Sequence, residues 1–163
     1  MDNMDNMDIS NIKNIKNNKG IKRIVVGAIV VSDRNILFLR RHPNDFMGGI
    51  YELPSGAVQE GEDLIDALKR EIAEETGLQI KNILSFVNSF DYKSKKGIMT
   101  RQFNFLVTVE NADEVRLNPK EHDDYIWISF NNLSSTPLLD KLIKNTAEKA
   151  IELYIEMGLE KLS

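Results

Sequence analysis

The chain has 163 residues, a formal net charge of −4 and no cysteine. That length suits one domain with a substantial core, and the lack of cysteine excludes disulfides, thiolate catalysis and cysteine-ligated zinc, consistent with a reducing cytosol. The acidic balance leaves no global footprint for duplex nucleic acid, the longest apolar run, Ile24 to Val31, is too short to span a bilayer, and the N-terminus lacks a signal-peptide core, so a soluble cytoplasmic protein is expected.

Residues 1–20 repeat MDN and NIK units with few large apolar groups, a composition that predicts a disordered or loosely docked tail. Residues 21–163 are then a single domain. Ile21 to Ser32 is β-branched and almost continuously apolar, as in a strand covered on both faces. Asp33, Arg34 and Asn35 read as a turn and Ile36 to Arg40 as the returning strand of a hairpin. Arg40 and Arg41 leave two readings open, a solvated strand end or a charge-assisted contact to a phosphate. His42 to Ile50 form a loop with Phe46 and Met47 at its apolar end. Phe46 and Tyr51 are candidates to stack on a nucleobase, with simple packing as the alternative. Tyr51 to Pro54 reads as a short strand entering the turn at Gly56.

The stretch Gly56 to Leu78 predicts a loop feeding an acidic helix. Asp63 suits the N-cap, Asp66 the third helical position, and Gly77 the left-handed stop. On a helical wheel with Leu64 at the origin, Leu68 lies at about 40° and Ile72 at about 80°, forming an apolar stripe. Glu75 falls at about 20°, inside that stripe, with Glu71 at about −20° and Glu74 at about −80°. Like charges at i,i+4 and i,i+3, close to a helix C-terminus, are unfavourable. A hard divalent cation is the simplest compensation, because Mg²⁺ takes a few carboxylates together with water and substrate phosphate. The alternative is a solvated acidic helix with an ordinary Arg70–Glu74 pair.

The same residues resemble the Nudix hydrolase signature, G-x5-E-x7-R-E-U-x-E-E-x-G-U with U a bulky aliphatic. Gly56, Glu62, Arg70, Glu71, Ile72, Glu74, Glu75, Gly77 and Leu78 fill every fixed position. The resemblance implies an α/β fold, a mixed β-sheet sandwiched between helices (α/β/α). It implies that Glu71, Glu74 and Glu75, with the Gly56 carbonyl, ligate Mg²⁺ or Mn²⁺, and that Arg70 orients the carboxylates. Glu62 has two roles open to it, holding the loop or reaching metal through water.

Beyond Gly77, Ile80 to Tyr92 reads as a strand with an irregularity at Asn82, and Ile98 to Glu110 as its hairpin partner across a lysine-rich turn. In the second strand Arg101, Phe103, Phe105, Val107 and Val109 share one face, which is mostly apolar. Arg101 is a candidate substrate contact, with a snorkelling strand-end arginine as the alternative. Family members place a further acidic residue in a loop near the metal, and Glu121, ahead of the strand Tyr125 to Ser129, is the candidate. His122 is the weaker one, an imidazole being suited to proton transfer. Thr136 as cap and Pro137 at the first helical position predict a C-terminal helix running to Gly158, which closes one face of the sheet or contacts a second copy.

The reaction implied by the resemblance is hydrolysis of a diphosphate linkage in a nucleoside diphosphate derivative, with Glu71 or Glu121 accepting the proton of water. Positions 93 to 96 are Lys, Ser, Lys and Lys, without the proline or tyrosine that marks the ADP-ribose and dinucleoside-polyphosphate branches, although Tyr92 comes one place early. By elimination a (deoxy)nucleoside triphosphate is expected, cleaved to monophosphate and pyrophosphate. ADP-ribose, a dinucleoside polyphosphate or a nucleotide sugar is the alternative substrate, and a non-catalytic nucleotide sensor the alternative role. The expected partner is a small nucleotide, with no duplex nucleic acid and no membrane, and the chain is expected to be a monomer or homodimer.

Overall fold

The structure is a computed structural model and describes residues 20–42 and 49–158. The expectations for the tail and for Phe46 and Met47 fall outside the described residues. β1 (Arg23–Ser32) and β2 (Asn35–Arg41) are followed by two short strands, β3 (Tyr51–Glu52) and β4 (Ser55–Ala57), and by α1 (Leu64–Thr76). Then come β5 (Ile80–Lys93), β6 (Met99–Val109), β7 (His122–Ser129), a 3-10 segment (Phe130–Ser135) and α2 (Lys141–Glu156).

The sheet is mixed and ordered β3-β2-β1-β6-β5, with β4 added on β1 and β7 on β2. β1 is its axis, parallel to β6 and antiparallel to β4 and to the first residues of β2. The two-residue strand alternation divides β1 between two cores. Ile24, Val26, Ala28 and Val30 pack with Leu64, Ala67, Leu68 and Ile72 of α1, whereas Ile29 and Val31 pack with Ile143, Ala147, Ala150 and Tyr154 of α2. The sheet is therefore covered on both faces, which gives the expected α/β/α sandwich. None of the helices among the described residues is long and apolar enough to cross a membrane.

Three local expectations are refined. The first hairpin turns on Asp33 and Arg34 alone, both at positive φ (49° and 61°), the backbone of a type I′ turn. β5 carries the irregularity at Asn82 and two more register shifts further along, and such bulges increase the local twist of the strand. The C-terminal helix does not start at Thr136 and Pro137. Thr136 is extended (φ −74°, ψ 134°), and its hydroxyl accepts from Leu138 N in a local turn. The helix starts after Asp140, whose carboxylate accepts from Ile143 N at 2.8 Å. Asp140→Ala is expected to cost about 1 kcal/mol, read as a fall of about 2–4 °C in Tm.

Candidate functional site

The loop before α1 is held by one arginine. Arg70 donates through Nε and Nη2 to both oxygens of Glu62, at 2.7 and 2.8 Å, and through Nη2 to the Ala57 carbonyl at 3.0 Å. Its Nη1 donates to Glu71 at 2.7 Å and to Glu74 at 3.3 Å. Glu62 also accepts from Gln59 N, so of its two open roles the geometry supplies the first, fastening the loop. Glu62 hydrogen bonding, chiefly, pushes the Arg70 pKa further up. The caps stand as expected: Asp63 accepts from Asp66 N, and Gly77 is left-handed at φ 71°. A lysine cannot span these partners as a planar fork. Arg70→Lys is expected to lower stability by about 1–2 kcal/mol, measured by denaturant unfolding, and to lower any turnover about tenfold or more.

Glu75 is buried, 5% exposed, as its place in the apolar stripe demands. One oxygen accepts from Ser55 N at 3.0 Å. Burial, and next the negative charge of Glu121, push its carboxyl up to about 9, with Glu71 and Glu52 adding to the effect. Glu71 is likewise raised, mainly by burial, against the pull of Arg70. A β-carbon on Gly56 would lie 1.9 Å from Glu71 Oε2, so the side chain of Glu71 lies directly across that glycine. Glu74 is the outer carboxylate, with its side chain 59% exposed.

Glu71 and Glu75 open into a cleft of about 660 Å³ that Gly56 and Glu121 also line, whereas Glu74 and Arg70 do not line it. Across the sheet the cleft reaches Arg23, Gln102, Phe90 and Tyr92, with Leu142 and Ile143 of α2 also lining it. Among the described residues, no three acidic or imidazole side chains close into a metal cage by themselves. The donor set is all hard oxygen, half open, and crowded with negative charge around a buried carboxylate. That chemistry fits a small divalent cation completing its shell with water and phosphate.

Glu121 thus lines the same cleft as Glu71 and Glu75. His122 is buried at 3% exposure, with Nε2 2.8 Å from Glu52 Oε2. Glu52 also accepts from Arg41 Nη2. Burial alone would raise the Glu52 carboxyl, but His122 and Arg41 together hold it below its ordinary value. Arg41 lines the cleft, whereas Arg40 pairs with Asp123 through two hydrogen bonds at 2.8 and 3.1 Å. Arg101 is engaged in the same way by Asp91, at 2.6 and 2.8 Å. Tyr51 packs against the α2-side core. Arg40, Arg101 and Tyr51 do not line the cleft with the carboxylates. The lining residues whose role does not show in the sequence include Arg23, Glu52, Phe90 and Gln102, and Tyr92 lines the cleft as well. The alternation of Gln102 with Phe103 was visible in the sequence, but not that α2 roofs the Gln102 face.

A family model described as the NUDIX domain matches residues 21–153. The chain belongs to the Nudix family. This Nudix domain is 31% identical over 128 residues to an ADP-ribose pyrophosphatase of Methanocaldococcus jannaschii, covering 75% of this chain and 71% of the relative. It is 32% identical over 110 residues to an 8-oxo-dGTP diphosphatase of Buchnera aphidicola, covering 68% and 78%. A NAD-capped RNA hydrolase of Shigella dysenteriae is 30% identical over 113 residues, 69% of this chain but only 40% of the relative's own length. Among solved structures, a MutT protein of Methanosarcina mazei superposes with a TM-score of 0.65 at 25% identity, covering 80% of this chain and 93% of that chain.

Proposed function

We propose that the chain is a pyrophosphohydrolase that uses Mg²⁺ or Mn²⁺ to hydrolyse a diphosphate linkage in a nucleoside diphosphate derivative. We infer that its substrate is a (deoxy)nucleoside triphosphate, cleaved to monophosphate and pyrophosphate. The observation that carries this reading is Glu75, a buried carboxylate raised to about 9 by burial and by the charges of Glu121, Glu71 and Glu52 at the end of an open cleft. A solvated acidic helix has no use for such an arrangement.

Glu71, Glu74 and Glu75, with the Gly56 carbonyl, would hold the cation. When bound, it supplies charge neutralisation for the phosphate oxygens and makes water acidic enough to react near neutral pH. The protein's own part is positional. Arg70 fixes Glu71 and the loop, Ser55 N fixes Glu75, and Arg41, held by Glu52, faces the cleft where a diphosphate would lie. Of the two candidate bases, Glu71 has one oxygen committed to Arg70. Among the described residues Glu121 accepts a long bond from Asn118 at 3.4 Å, which favours Glu121 as the acceptor of the proton from water.

The ADP-ribose reading is favoured by the Methanocaldococcus relative. A panel of nucleoside triphosphates, ADP-ribose, dinucleoside polyphosphates and nucleotide sugars, incubated with Mg²⁺ and resolved by chromatography, separates the two. Monophosphate and pyrophosphate from a triphosphate, abolished by chelator, is the expected result. Turnover of ADP-ribose alone would replace the substrate, and no metal-dependent product from any member would sink the proposal.

A further inference from the structure

Beneath α2 a row of buried and half-buried polar side chains runs from the first turns of that helix to the floor of the cleft. Thr146 Oγ1 donates to the Leu142 carbonyl at 3.0 Å and accepts from Asn88 Nδ2 at 3.0 Å. Asn88 Oδ1 accepts from Asn104 Nδ2 at 3.0 Å, and Asn104 Oδ1 from Gln102 Nε2 at 2.8 Å. Gln102 Oε1 accepts from the Tyr92 hydroxyl at 3.3 Å, and Tyr92 is hydrogen-bonded in turn to Arg23.

The two ends fix the direction of every bond between them. Arg23 can only donate, so the Tyr92 oxygen accepts from it and its proton is left for Gln102. The Leu142 carbonyl can only accept, so the Thr146 proton points to it and Asn88 must donate to Thr146. The three carboxamides therefore cannot flip without breaking bonds at an end. Room for the row comes from Gly27, where a β-carbon would lie 2.6 Å from both Asn104 Oδ1 and Gln102 Nε2.

Gln102 is 5% exposed yet lines the cleft. A carboxamide has two N–H donors and two oxygen lone pairs, and the row uses one of each. One donor and one acceptor of Gln102 are left over by the row, with Phe90 paired opposite it on β5 and Tyr92, Leu142 and Ile143 also lining the cleft. A buried amide edge between apolar walls suits a flat heterocycle whose own edge pairs an amine with a ring nitrogen, as adenine's does.

We propose that Gln102 is the base-reading residue of the cleft, and that its locked carboxamide edge takes the amino-purine edge of an adenine nucleotide. This deepens the proposed hydrolase reading and rests on it for the placement of the phosphates, but binding tests it without turnover. Calorimetry with AMP and with purine riboside 5′-monophosphate, which lacks the exocyclic amine, compares the native chain with Gln102→Met. AMP is expected to bind the native chain roughly 5- to 100-fold more tightly than its amine-free analogue. In the variant the two should bind alike, with the affinity for the amine-free analogue reduced far less than that for AMP. Equal binding by the native chain, or a preference that survives in the variant, overturns the proposal. If the variant does not fold, the side-chain ¹⁵N–¹H signals of Gln102 in the native chain decide: they shift with AMP and stay in place with ribose 5-phosphate, and no shift with AMP overturns the assignment. Discrimination without hydrolysis of any nucleotide would overturn the hydrolase reading and uphold this one.

Discussion

Glu75→Gln is expected to lower metal-dependent turnover by about 100- to 1,000-fold while making the metal-free protein more stable. Two opposite effects of one substitution follow from one fact, the burial of an acid raised to about 9 from an ordinary 4.5. Because the folded-state value is the higher one, the native chain retains a proton that the unfolded chain releases. The stability this group contributes is complete below pH 4.5 and is lost as pH rises toward 9. Glutamine keeps an oxygen for Ser55 N and carries no such penalty. In chelator at pH 8 the variant should therefore be more stable than the native chain by about 2–4 kcal/mol, with the gap closing as pH falls toward 5. Added Mg²⁺ should raise the Tm of the native chain well above that of the variant, since the proposed ligand set is complete only in the native chain. Denaturant titrations across that pH range, with and without the cation, measure both. A variant less stable than the native chain at pH 8 in chelator would refute the burial argument.

Glu75 was legible because its anomaly is local. A helix has a fixed period, so a charge inside an apolar stripe shows in the spacing alone, and the caps at Asp63 and Gly77 are equally local. The contacts that decide the rest of the site are not. Arg40 and Arg101 are surface cations by sequence, but Asp123, 83 residues from Arg40, and Asp91, 10 residues from Arg101, engage them. Only the strand pairing brings those partners together. The start of α2 was misplaced for a related reason. Thr136 and Pro137 have the chemistry of a helix start, but the chain uses it in a turn, and Asp140 supplies the real cap. With the helix start unknown, nothing showed which face of β6 it roofs, so the polar positions Gln102 and Asn104 carried no signal of burial. Arg70 bonds to Glu71, its neighbour in sequence. Its grip on Glu62, eight residues back and off the helix, depends on how the loop folds.

Gly56→Ala should leave the fold standing and remove most of the activity, about 100-fold in kcat. Gly56 lies in β4, paired with Val26 in regular antiparallel register, and its backbone is not in the left-handed region, so alanine meets no conformational penalty there. Replacing glycine at a compatible position also reduces the freedom of the unfolded chain, a gain of about 0.4–1 kcal/mol. What alanine meets is Glu71, with Oε2 at 1.9 Å, Cδ at 2.0 Å and Cγ at 2.6 Å from the new carbon. No small adjustment clears three atoms at once, so Glu71 must leave its place and break its 2.7 Å bond to Arg70. The harm therefore passes through Glu71 alone, and a double-mutant cycle exposes that dependence. Once Glu71→Ala has removed the side chain, adding Gly56→Ala should cost almost nothing further in kcat, and Tm should stay within a few degrees throughout. Additive losses in the double variant would mean that Gly56 acts on the reaction by some route other than making room for Glu71, since independent sites add and coupled ones do not.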